Sequence, residues 1–199
     1  MRQETPSKAS SRWSRPAVAW LWAIGAALVA CSAALALYRH HEDRLHPATG
    51  RAQWIWYARA GRKPSPLRFY ATREVVLAGS PRRAEARFLV DPEYVLYVNG
   101  QRVGAGSRRH GDALDVLDLA AFLHPGSNRI AIEAASDDGV GGILFSVAGE
   151  GLDPDAFASN SRWRVSLDAA AVTQGGGVAA VVWGRPPQYP WGYPELPGR

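Results

Sequence analysis

The stretch Glu93–Gly104 reads EYVLYVNGQRVG. Tyr94, Leu96 and Val98 alternate with Val95 and Tyr97, so successive side chains fall on opposite faces of an extended strand. Both sets are apolar or aromatic, which suits a strand inside a two-layer sandwich rather than an exposed margin. Asn99-Gly100 supplies two residues that tolerate φ > 0, as a type I′ turn requires. Gln101, Arg102 and Val103 lead back until Gly104 and Gly106 interrupt the run. Asn99 is therefore read as turn chemistry, not as a ligand-binding tip.

Outward from the hairpin the same pattern repeats. Upstream, QWIWYA (53–58) is a short aromatic strand, and LRFYATREVVL (67–77) alternates over a long one. Ala84, Ala86, Phe88 and Val90 share one face of RAEARFLV (83–90). Downstream, Asp118 is placed to cap a single helical turn over 119–123, which Pro125-Gly126 ends. Asn128 then opens the strand RIAIEAA (129–135), followed by GGILFSVAG (141–149), SRWRVSL (161–167) and AAVVW (179–183). Short strands, abundant turn residues and almost no helix predict an all-β sandwich. Trp54, Trp56 and Trp163 sit in strand patterns and are expected in its core.

Near the start, PAVAWLWAIGAALVACSAALALY (16–38) carries no charge and is long enough to cross a hydrocarbon core of about 30 Å as a helix. Arg2, Lys8, Arg12 and Arg15 precede it, against Arg39, Arg44 and Arg51 after it, so the positive-inside bias favours a cytoplasmic amino terminus. The expected order is a cytoplasmic tail (1–15), a single-pass inner-membrane anchor (16–38), a linker (39–51), an extracytoplasmic sandwich (52–184) and a Pro-rich tail (185–199). Two alternatives stay open: LVAC (28–31) resembles a lipobox, which would make this a lipoprotein lipidated at Cys31, and the segment also has the small residues of a cleavable signal. His40, His41 and His46 in the linker lack the ligand spacing of a metal site. The tail RPPQYPWGYPELPGR is too rich in Pro for helix or central strand. It is expected to pack along the sandwich through Tyr189 and Trp191, the alternative being an extended polyproline-type ligand for a partner.

Cys31 is the sole cysteine, so the sandwich holds neither disulfide nor thiolate metal site. The net charge of +5 comes from scattered arginines without a basic stripe interleaved with aromatics, which argues against nucleic acid. The order WIWY, RFYATREVVL, ARFLVDPEYVLYVNGQRVG, DVLDLAAFLHPGSNRIAIEAA and SRWRV resembles the galactose-binding-like jelly-roll module that accompanies α-L-rhamnosidases and β-galactosidase-type glycosidases. The resemblance covers about 53–165 and rests on turn, cap and core residues. It implies a jelly-roll β-sandwich, and it allows a structural calcium held by loop oxygens. In those families catalysis belongs to a separate barrel for which 199 residues leave no room, so no enzyme activity and no catalytic residue are expected here.

Binding remains. The loop GAGSRRHGD (104–112) offers Arg108, Arg109, His110 and Asp112 as hydrogen-bonding groups framed by glycines, and Tyr97 as an aromatic neighbour. Arginine's planar fork suits uronate carboxylates, so an acidic glycan is the expected class. The sequence thus points to a membrane-anchored extracytoplasmic carbohydrate-binding module for a glycan or cell-envelope polymer. The alternative is a sandwich that docks an envelope protein partner.

Overall fold

The computed structural model describes residues 15–45, 48–57 and 64–198, and the chain divides into two units, 1–45 and 46–199. The first unit holds helix α1 (Arg15–Leu45). Within it Trp20–Tyr38 is long and apolar enough to cross a membrane. The helix continues through 39–45, into the segment expected as an irregular linker. The basic flank before Arg15 and the side chains of the three linker histidines lie outside the described residues.

The second unit is a two-layer antiparallel sandwich. One sheet has five strands in the order β11-β1-β8-β3-β6: β1 (Trp54–Trp56), β3 (Glu85–Asp91), β6 (Asp115–Asp118), β8 (Gly142–Ala148) and β11 (Val181–Gly184). The other has six in the order β10-β9-β2-β7-β4-β5: β2 (Leu67–Leu77), β4 (Glu93–Val98), β5 (Gln101–Ser107), β7 (Gly126–Ser136), β9 (Arg164–Ser166) and β10 (Val178–Ala179). The longest pairing runs from Leu67↔Ser136 to Leu77↔Gly126. Phe69, Phe88, Leu96, Ile132, Phe145 and Trp163 interlock between the sheets, all fully buried. Phe145 lies 5.7 Å from Phe88 and 5.4 Å from Trp163, ring centre to ring centre, so aromatic contacts tie the two layers together.

The hairpin forms as read. Asn99 and Gly100 both take positive φ, at 51° and 78°. Asn99 also does more than turn the chain: its amide donates to the Phe122 carbonyl and to Asn128 Oδ1, each at 2.9 Å, and its carbonyl accepts from Arg129 N. Asn128, itself buried, donates to the carbonyls of His124 and Gly126. Two of the stretches that carry the resemblance, ARFLVDPEYVLYVNGQRVG and DVLDLAAFLHPGSNRIAIEAA, are therefore hydrogen-bonded to each other. Asp118 Oδ1 accepts from Ala120 N at 3.0 Å, holding the 3₁₀ turn Ala120–Phe122, and from Ala84 N at 3.1 Å.

Gly104 and Gly106 do not end β5. The strand runs to Ser107, and the glycines are there for close packing: a Cβ on Gly104 would meet Leu117 Cδ1 at 3.0 Å, and one on Gly106 the Tyr94 ring at 3.0 Å. The carboxy-terminal tail packs across the outer face of the five-stranded sheet. There Trp191 stacks on Trp54 at 4.3 Å, donates to Asp91 Oδ2 at 2.8 Å, and joins Leu89 and Leu144 in a second apolar cluster. Tyr189, expected to share that packing, is instead 90% exposed.

Candidate functional site

The loop after β5 begins with a backbone bond, Arg108 N to Pro92 O at 2.7 Å, which extends the hairpin ladder by one step. Arg108 then turns inward and pairs with Asp115 on β6, which also accepts from the Tyr94 hydroxyl at 2.6 Å. Burial, reinforced by that hydrogen bond, pushes the Tyr94 phenol above its ordinary value, so Tyr94 stays the donor. This trio closes the open side of the sandwich between β5 and β6, one edge from each sheet. Arg108 therefore does structural work, which its sequence context did not reveal. Asp112 does too: its Oδ2 accepts from Arg109 N at 2.8 Å, and its own N–H bonds Arg109 O at 3.1 Å. Gly111, at φ 88°, completes that turn.

Arg109 and His110 are left exposed. The Arg109 side chain lines a groove of about 430 Å³ together with Pro66, Arg68, Glu93, Ser107 and Asp137. The groove sits where β2 and β4 begin and β5 and β7 end, so its walls come from elements far apart in sequence. A smaller hollow of about 140 Å³ adjoins it on the outer face of the six-stranded sheet, sharing Arg68, Glu93 and Ala135 and adding Val95, Ala105 and Glu133. Tyr97 is not part of the loop cluster. It stands four residues along β4 from Glu93, about 13 Å away at strand spacing, and donates its hydroxyl to Glu133 Oε2 at 3.2 Å. Glu133 in turn receives Arg68.

The sequence-based list thus separates into groups. Arg109 lines the groove, His110 is exposed on the neighbouring turn, Tyr97 lies farther along the sheet, and Arg108 and Asp112 hold the loop. Trp54, Trp56 and Trp163 are buried, as expected from their strand patterns, and Tyr57 is half-buried against Phe69. Arg68, Glu93, Glu133 and Asp137 were missed, because no sequence spacing brings them together. The strand parity that puts Arg68 and Tyr70 on one face was readable. The pairing of β2 with β7, which sets Tyr70 opposite Glu133, was not.

A glycosidase needs two carboxylates, one of them held protonated in an apolar pocket. Among the described residues, Asp91 is the carboxylate whose pKa is clearly raised, by burial. It accepts from the Trp191 indole and is not among the residues that line the groove. Asp138, beside Asp137, is held low by the N–H of Val140 and the hydroxyl of Ser136, a turn duty. Among the described residues no three His, Cys, Asp or Glu side chains converge as a metal site.

No protein-family model and no curated protein matches the chain. Solved structures do. The GH78 family rhamnosidase of Bacillus sp. GL1 superposes with a TM-score of 0.60 at 23% identity, over 73% of this chain and 19% of that one. The α-L-rhamnosidase of Streptomyces avermitilis, solved with L-rhamnose, gives 0.56 at 17% identity over 73% and 16%. The Pleurotus ostreatus lectin in its apo form gives 0.57 at 21% identity, over 75% of this chain and 48% of that one; it has also been solved with GalNAc. The chain thus spans about a fifth of the first rhamnosidase and about half of the lectin. At these identities the likeness is one of fold, and the fold is the galactose-binding-like β-sandwich.

Proposed function

We propose that this chain is a membrane-anchored, extracytoplasmic carbohydrate-binding module that holds a glycan or cell-envelope polymer without cleaving it. The observation that carries the reading is the groove: an open, polar depression of about 430 Å³ lined by Arg109, Arg68, Glu93, Ser107 and Asp137. Such a lining offers donors and acceptors to hydroxyls without an apolar pocket that would favour a hydrophobic ligand. Support comes from the same fold in a lectin solved with GalNAc. The anchor assignment rests on the uncharged span ending at Tyr38, and the extracytoplasmic side on the basic residues before it.

A test uses the full-length chain in detergent micelles, titrated by calorimetry against neutral and acidic glycans beside Arg109→Ala. Binding by the parent, weakened in the variant, is expected. Equal binding by both proteins would move the site away from the groove. Absence of binding to every glycan would leave a protein partner as the reading. That second reading has one observation of its own: Tyr189 is 90% exposed on a turn rooted by the buried Trp191, the kind of rigid aromatic knob that protein interfaces use as an anchor.

A further inference from the structure

The groove does not stop at the end of the sheet. Alternate residues of β2, β7, β4 and β5 face outward in register, giving one row of Arg68, Ala135, Glu93 and Ser107 and a second of Tyr70, Glu133, Val95 and Ala105. The smaller hollow is lined by Arg68, Ala135 and Glu93 of the first row and by Glu133, Val95 and Ala105 of the second, and it shares the first three with the groove. In the next row Thr72 and Ala131 are nearly fully covered, and α3 (Ala171–Gln174) packs against β2 and β7. The open face therefore ends at Tyr70, in the second row, and at Tyr97, which shares the row of Thr72 and Ala131. These two lie on the strands either side of β7, offset by two residues and about 12 Å apart at strand spacing. Both are half-buried, and burial raises both phenols above their ordinary value.

We propose, building on the carbohydrate-binding reading, that this face is a track for a linear, electrically neutral polysaccharide. It runs from Arg109 in the groove, past the Arg68–Glu133 pair, to Tyr70 and Tyr97. The floor is made of small side chains, Ala135 and Ala105, so a chain lies close to the backbone. The two tyrosines at the far end present apolar rings with a polar tip, the surface on which a sugar ring packs while its hydroxyls stay hydrogen-bonded. Charge sets the ligand class. Arg68, Arg102 and Arg109 stand against Glu93, Glu133 and Asp137 along the track, so the face is balanced. A polyanion would meet carboxylates at intervals it cannot avoid, and like-charge juxtaposition excludes wrong partners. Arg108, the cation that would have tipped the balance towards an acidic glycan, is already neutralised by Asp115.

The experiment is a chain-length series on the full-length protein in detergent micelles: N-acetylglucosamine and its linear β-linked oligomers up to the hexamer, with a polyuronate oligomer of equal length as the charged control. Affinity should rise about tenfold or more from monomer to hexamer, with the polyuronate weaker than the neutral hexamer. Tyr70→Ala and Tyr97→Ala test the far end. Either should lose most of the hexamer's gain and leave the monomer within about twofold, whereas Arg109→Ala should weaken both. Melting temperatures of the variants separate lost binding from lost folding. Equal affinity for monomer and hexamer, or a hexamer insensitive to Tyr70→Ala in a folded variant, would overturn the track while leaving a groove that binds sugar. Tighter binding of the polyuronate would overturn the neutral class. Failure of every oligomer and monomer alike would overturn the track, and the carbohydrate reading falls with it only if the calorimetric panel of neutral and acidic glycans also shows no binding.

Discussion

Asp91 shows how one residue couples the tail to the hairpin. It ends β3 beside Pro92 and accepts the Trp191 indole N–H, and burial lifts its pKa more than that hydrogen bond lowers it. A carboxyl whose folded pKa is raised holds its proton more tightly in the folded chain than in the unfolded one. Stability is then full below the unfolded value, about 3.9 for Asp, and falls as pH rises through the folded value. The interaction with His110 moderates the effect, while Asp138 and Asp112 add to it. Asp91→Asn keeps an acceptor for the indole and cannot ionise. Its melting temperature should match or exceed the parent's at neutral pH, with the gap closing as pH falls below about 4. A variant less stable than the parent at neutral pH would mean that the anion–indole bond outweighs the cost of burying the charge.

The Pro-rich tail is a structural element although it has almost no regular structure. It covers Trp54, Leu89 and Leu144 on the outer face of the five-stranded sheet and is tied by Leu114 N to Glu195 O at 2.8 Å. Removing a buried aromatic of this size costs about 3–5 kcal/mol, so Trp191→Ala should lower stability by that order in chemical denaturation. A loss under about 1 kcal/mol would mean that the tail rests on the sheet without stabilising it. The sequence conveys half of this element: Trp191 packs as expected, since an exposed indole forgoes apolar burial, whereas Tyr189 does not. It conveys β2 and the Asn99-Gly100 turn more fully, since alternation and positive φ are local properties. Gly104 and Gly106 misled, because a glycine that breaks a strand and one that lets Leu117 and Tyr94 approach look alike until the neighbouring strand is in place. The site fared worst for the same reason. Arg108 reads as a free cation until β6 brings Asp115 beside it, and the face shared by Arg68, Glu93 and Glu133 depends on strand pairing between distant segments.

At the scale of the whole molecule the question is which side of a membrane the sandwich occupies. Trp20–Tyr38 is long and apolar enough to span, with Arg2, Lys8, Arg12 and Arg15 before it and Arg39, Arg44 and Arg51 after it. Orientation follows Lys and Arg near the ends of the span, with acidic residues contributing little, so the bias towards a cytoplasmic amino terminus is a slim one. It is decisive for the proposed function, because a neutral envelope polysaccharide is met only on the outer side. A reporter that works only after export, fused behind Arg199, should be active, and one that works only in the cytoplasm should be silent. The reverse pattern would remove the glycan reading together with its track. The mass of the mature protein then separates the three forms of attachment. An intact amino terminus marks the anchor. A diacylglycerol adduct on Cys31 with residues 1–30 removed marks a lipoprotein, and loss of the span without an adduct marks a cleaved signal. If the reporter places the sandwich outside, all three forms are compatible with that side, so the reporter tests the function while the mass tests only how the domain is held there.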